Sequence, residues 1–207
     1  MHLPNQHDFV YLASQSPRRV QLLEQLGVSH KPLLPDADED VESLEIERTG
    51  ELPLAYVQRV ALLKLQAARR RLERRRLPTA PILTADTTVA LGRRMLGKPA
   101  NRAEATEALR ALSGRTHRVL TAVAVSSGTL QFLEVSVSRV RVADLSESSI
   151  QRYVASGEPR GKAGSYAIQG RMAAWIDRVE GSYSGVMGLP LYETARLLAR
   201  ARVRLDL

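Results

Sequence analysis

The sequence predicts an α/β (α+β) fold: a single domain with a mixed β-sheet flanked by helices. Short runs of strand-like alternation intermingle with amphipathic helical stretches along the whole chain. No internal repeat and no long linker divides them. Of 207 residues, 44% are hydrophobic, enough for a sizeable core in one domain of ordinary size.

The elements follow in order. Phe9 to Ser14 is a short apolar strand. Ser16-Pro17 opens a helix, since serine is a favoured N-cap and proline a favoured first helical residue. Leu22, Leu23 and Leu26 give that helix an apolar face and Gly27 stops it. Residues 36–51 are acidic and irregular. A helix runs from about Leu54 to Leu77 and ends at Pro78. Ile82 to Leu91 is a buried strand, turned by Gly92 into a short return that ends at Gly97-Lys98-Pro99. Asn101 and Glu104 form a capping box for a helix through Leu112. His117 to Val125 and Leu130 to Val142 pair around Ser127-Gly128. Ser146 caps a helix to about Ala155; a glycine-rich loop, Gly157 to Gly170, follows. Ala173 to Val179 is a further strand, and Gly188-Leu189-Pro190 opens a last helix ending near Arg200.

Composition bounds the function. The longest apolar run falls far short of the ~20 residues of a membrane span, and the polar stretch from Met1 to Phe9 lacks a signal-peptide core. There is no cysteine, hence no disulfide framework and no thiolate metal site. A cytoplasmic protein is expected. The net charge of +8 invites a nucleic-acid reading. Much of the excess lies in Arg69 to Arg76, with six arginines and one glutamate. Such a run at a helix end reads as a solvated face complementing the helix dipole. With aromatics at 4% there is no stacking platform for single strands.

Four segments carry chemistry. Ser14-Gln15-Ser16-Pro17-Arg18-Arg19 lies where a strand feeds a helix N-terminus, so free N–H groups, two hydroxyls and two guanidinium forks meet at one anion site. Lys64 falls on the apolar face of the 54–77 helix, with Arg59 and Gln66 opposite; an ammonium there pairs or snorkels out. Asp86-Thr87-Thr88 interrupts an apolar strand, and a buried carboxylate must be paired or bind a cation such as Mg²⁺. In the Gly157–Gly170 loop, Glu158 and Lys162 add charge and Gln169 an amide that both donates and accepts. The histidines have no metal-ligand spacing, and no Walker A sequence is present.

Taken together the chain resembles the Maf family of nucleotide pyrophosphatases. The resemblance rests on Leu12-Ala13-Ser14-Gln15-Ser16-Pro17-Arg18-Arg19, Ala85-Asp86-Thr87-Thr88-Val89, Gly97-Lys98-Pro99 and Leu112-Ser113-Gly114-Arg115-Thr116-His117. It continues through Tyr153 to Gln169, Gly181-Ser182-Tyr183 and Gly188-Leu189-Pro190-Leu191, in order over nearly the whole chain. It implies an elongated, curved mixed sheet with a substrate cleft, and a metal-dependent cut between the α- and β-phosphates of a nucleoside triphosphate. By position Asp86 matches the family's catalytic acidic residue and Glu39 a second one, the pair holding a divalent cation, Mg²⁺ or Mn²⁺. Lys64, Lys98 and Lys162 match its lysines, and Arg19 a phosphate-binding arginine beside Ser14 and Ser16.

The family divides by substrate at three positions, here Arg18, Thr87 and Gln169, a set similar to the dTTP/UTP branch. A neutral Gln169 can donate to a pyrimidine O4 and accept from N3–H. A methylated, cationic guanine would instead favour tryptophan and glutamate. Gly185 departs from the family, which commonly has a polar residue there. The resemblance also implies a house-cleaning role, and a homodimer is compatible with it. The competing reading is a nucleic-acid-binding or cell-division regulatory protein that uses the Arg69–Arg76 run.

Overall fold

The computed structural model describes residues 6–205; of the polar Met1–Phe9 stretch, the first five residues lie outside the described part. Seven strands form one mixed sheet. They are β1 (Val10–Leu12), β2 (His30–Pro32), β3 (Ile82–Leu91), β4 (Arg94–Leu96), β5 (Thr116–Ser127), β6 (Leu130–Val142) and β7 (Ile176–Glu180), in the order β2-β1-β3-β5-β6-β7 with β4 paired to β3. The β2-β1-β3 edge is parallel and the remainder antiparallel. The chirality-bearing crossovers of the parallel part run through α1 (Pro17–Gln25) and α2 (Pro53–Arg74). The other helices are α3 (Arg102–Leu112), α4 (Glu147–Ala155), α5 (Tyr183–Met187) and α6 (Leu191–Arg200).

The sheet's pleat sorts β3 onto three cores. Leu83 and Ala85 pack with Leu22, Leu23 and Leu26 of α1 and with Leu197 and Leu198 of α6. Val89 points the same way by the period of two but joins a separate core with α3, α4, Tyr166 and Met172. The intervening residue on that face is Thr87, so the two cores part where a polar side chain stands. On the other face Ile82 and Ala90 pack under α2, against Val57, Ala61, Leu65 and Ala68. Alanine meets alanine there (Ala61 and Ala68 over Ala90, Ala122 and Ala124), which lets the helix lie close to the sheet. Thr84 confirms the approach, its hydroxyl donating to the Ala61 carbonyl at 2.9 Å.

Local expectations held in most places. Asn101 Oδ1 accepts from the Glu104 N–H at 2.9 Å, while the Glu104 carboxylate reaches back to the Ala100 N–H rather than to that of Asn101. The Ser146 hydroxyl accepts from the Ser149 N–H. The first strand shortens to Val10–Leu12, β2 and α5 form where no element was expected, and other boundaries moved. Helix α2 stops at Arg74 because Arg76 turns left-handed (φ 49°), with Leu77 N–H bonded to the Leu72 carbonyl and Arg76 N–H to that of Glu73, a Schellman closure. The last strand begins at Ile176, since residues Arg171–Trp175 wind into a 3₁₀ turn. Ser16 precedes α1 without a side-chain cap; its own N–H donates to the Ser14 hydroxyl.

His117 is 2% exposed on β5, its Nε2 2.7 Å from the Tyr166 hydroxyl. Burial lowers its pKa to about 4, below the unfolded value of about 6.5. The unfolded chain therefore binds more protons between these values, and stability falls as pH drops through that window. Replacing His117 with Gln should flatten the slope of unfolding free energy between about pH 6.5 and 4, by up to about 1.4 kcal/mol per pH unit. Denaturant melts across that range check it, and an unchanged slope contradicts it.

Candidate active site

A cleft of about 400 Å³ opens where the cores diverge. Its wall includes Ser14, Ser16, Arg18, Arg19, Lys64, Asp86, Thr87, Lys98, Lys162 and Gln169. Ten of the sequence-derived candidates thus converge on one cavity from five separated stretches of chain. Among the described residues no helix is long and apolar enough to cross a membrane.

The centre of the cleft is a pair of carboxylates around one ammonium. Lys64 Nζ donates to Asp86 Oδ1 and to Glu45 Oε1, each at 2.7 Å. Glu45 Oε2 accepts from Lys98 Nζ, also at 2.7 Å. Asp86 is 5% exposed, and stripping water from a carboxylate costs several kcal/mol unless a counter-charge replaces it. Lys64 supplies that charge, so of the two fates open to an ammonium on an apolar stripe, pairing wins over snorkelling. Burial opposes the ionised form of Glu45, but Lys64 and Lys98 outweigh it and hold the carboxyl at about 2.

The opposite wall is cationic. Arg19 is folded inward, donating from Nε to the Gly188 carbonyl at 2.8 Å, from Nη1 to Ser14 Oγ and from Nη2 to Thr87 Oγ1. Gly188 has φ 121°, a conformation that leaves its carbonyl free for this contact and that other residues rarely adopt. Burial pulls the Arg19 pKa down, and the nearby Asp86 charge raises it. Arg18 Nε donates to the Met187 carbonyl. Lys162 donates to the Glu158 carbonyl, and burial, with the Arg18 charge adding to it, lowers its pKa. Gly164 brings this loop against β3, where a Cβ would sit 2.9 Å from both Val89 methyls. Gln169 stands exposed on the rim.

Glu39 stands apart from the other candidates. Glu39 does not line the cleft. Its carboxylate is held by Arg74 and by the fork of Arg71, which does line the cleft, and these arginines depress its pKa to about 2. Glu45 takes the place beside Asp86 that position in the family motif suggested for Glu39. Nothing in the spacing of the acidic stretch distinguishes Glu45 from its neighbours, because the segment has no regular period. The arginine run is also not a plain solvated face: Arg71 is 3% exposed, and Arg74 and Arg75 both pair with Asp36. Arg59 likewise departs from the outward reading, being engaged by Glu51 and by backbone carbonyls.

A carboxylate pair on one cationic centre, facing a guanidinium and ammonium wall beside a helix N-terminus, defines a polyphosphate site. The Maf-like protein family model matches residues 9–201, and the chain belongs to that family. It is 61% identical over 198 residues to the dTTP/UTP pyrophosphatase of Polaromonas sp. (strain JS666 / ATCC BAA-500), covering 96% of this chain and 98% of that one. Identity is 60% over 198 residues to the protein of the same name from Cupriavidus pinatubonensis, with 96% and 99% covered. To that of Albidiferax ferrireducens it is 59% over 191 residues, with 92% and 96% covered.

If Glu45 rather than Glu39 is the second carboxylate of the site, Glu45→Gln should lower turnover about tenfold or more. Glu39→Gln should instead cost about 2 kcal/mol of stability by loosening a buried arginine pair. Paired kinetics and denaturant melts test this; a larger turnover loss in Glu39→Gln than in Glu45→Gln contradicts it.

Proposed function

We propose that the protein hydrolyses dTTP and UTP to the monophosphate and pyrophosphate. The observation that carries this reading is the Lys64 ammonium shared by Asp86 and Glu45 inside a cleft whose far wall holds Arg18, Arg19 and Lys162. A triphosphate brings about four negative charges, and such clamps match it. The names of the relatives point to the same substrates.

Asp86 orients a water and takes its proton as the water oxygen bonds to phosphorus. The α–β anhydride P–O bond breaks and its electron pair leaves with pyrophosphate. Arg19, Lys98 and Lys162 bind phosphate oxygens and offset the charge that builds on the leaving group. Lys64 stands between Asp86 and Glu45 and offsets the charge of both. The donor set fits a divalent cation: Asp86 Oδ1 and Glu45 Oε1 already converge on a single positive atom, and hard oxygen ligands suit Mg²⁺ or Mn²⁺. Asp86 and Glu45 would hold that ion together with phosphate oxygens, and it would supply Lewis-acid neutralisation of the phosphates. Gln169 reads the O4 and N3–H edge of the pyrimidine, with Arg18 and Thr87 lining the same pocket. A cytoplasmic, house-cleaning role accords with this chemistry.

Incubation with UTP and Mg²⁺ should yield UMP and pyrophosphate, and Asp86→Asn should lower the rate by about 10²-fold or more. Nucleic-acid binding sensitive to Arg70 and Arg76, with no nucleotide turnover, would support the competing reading. Gln169→Glu should depress UTP and dTTP turnover selectively across a panel of triphosphates; an unchanged substrate profile refutes the assignment of that side chain.

A further inference from the structure

The chain between β2 and α2 contains only one 3₁₀ turn, Ser43–Glu45. Its internal backbone hydrogen bonds are few and local: Glu39 to Asp36, Val41 to Glu39, Glu45 to Glu42, Ile46 to Ser43 and Glu51 to Arg48. Yet it must deliver the Glu45 carboxylate to Lys64 and Lys98. Side chains of α2 meet that need. The Tyr56 hydroxyl donates to the Glu45 carbonyl at 2.9 Å. Arg59 Nη2 donates to the Ile46 carbonyl at 2.9 Å and Nη1 to that of Leu44 at 3.4 Å. Three consecutive carbonyls, centred on Glu45, are therefore held by two residues one helical turn apart.

The holder is itself held. Arg59 Nε and Nη2 grip the two oxygens of Glu51, each at 2.6 Å, so the guanidinium plane is fixed from the far end of the same segment. The Arg59 side chain is 16% exposed and that of Glu51 9%, where water competes weakly with the fork. Lys64 lies on the same helix, so α2 presents both the ammonium and the frame for its carboxylate partner.

We propose that Tyr56 and Arg59 are positioning residues that fix the Glu45 backbone and thereby aim its carboxylate at Lys64 and Lys98. The inference rests on the functional reading above and assigns two residues that are not among those lining the cleft. A lysine at position 59 keeps the charge but cannot bridge two carbonyls and a carboxylate at once. A phenylalanine at position 56 removes only the donor.

The test has two arms. In the first, Arg59→Lys and Tyr56→Phe are measured alone and combined with Glu45→Gln, using UTP and Mg²⁺. Each single change should lower kcat about five- to tenfold with KM altered less than about threefold, and cost less than about twofold in the Glu45→Gln background. Equal fold-losses in both backgrounds, or no loss in either single variant, overturn the proposal. In the second arm, hydrogen exchange compares amides of residues 43–50 with those of β3 and β5. Faster exchange confined to 43–50 in Arg59→Lys supports the positioning role; unchanged exchange there overturns it. Absence of UMP from the unmodified protein would count against the functional reading instead, and the exchange arm would still decide whether α2 holds the segment.

Discussion

Lys64 stands between two carboxylates, and the arrangement of the site depends on that contact. Asp86 and Glu45 would repel if they met without it. Their oxygens each lie 2.7 Å from the ammonium, whose charge offsets both. An enclosed charge cluster of this kind is costly to assemble and gives little net stability. What it gains is a set of anionic oxygens fixed in advance across the cleft from cationic side chains.

The fold meets that requirement with ordinary means. Small residues on α2 and on the sheet let the helix lie near β3, within reach of a lysine side chain. Asp86 and Thr87 are consecutive on β3 and so point to opposite faces. Asp86 turns to α2 and Lys64, while Thr87 turns to Arg19 and, through a 2.9 Å hydroxyl contact, to Thr121 on β5. Thr121 in turn donates to the Gly185 carbonyl at 2.7 Å, tying α5 to the floor. Two adjacent residues on one strand thereby anchor the two walls of the cleft.

Much of this was legible in the sequence. The apolar run of β3, broken by three polar residues, marked both a central strand and its chemistry; a buried Asp86 demanded a partner, while Lys64 on an apolar stripe was free to pair or to snorkel out. Helical periodicity placed α2 to within a few residues, and proline, glycine and serine placed most boundaries. The segment from Asp36 to Glu51 was not legible. It has no period, and its conformation is set by tertiary contacts with Tyr56, Arg59, Arg71 and Arg74 on a helix later in the chain. Those partners looked like surface residues, because a fork that grips carbonyls and carboxylates leaves no mark in hydropathy. Position in a motif marked Glu39, and only the loop's path shows that Glu45 also turns towards Asp86.

The direct measurement is a crystal structure with a non-hydrolysable UTP analogue bearing a methylene bridge between the α- and β-phosphates, together with Mg²⁺. The phosphate chain should lie between Arg19, Lys98 and Lys162, with the α-phosphorus facing Asp86 and the cation held by Asp86 and Glu45. A nucleotide bound elsewhere, or phosphates in the cleft with both carboxylates turned away from them, would contradict it.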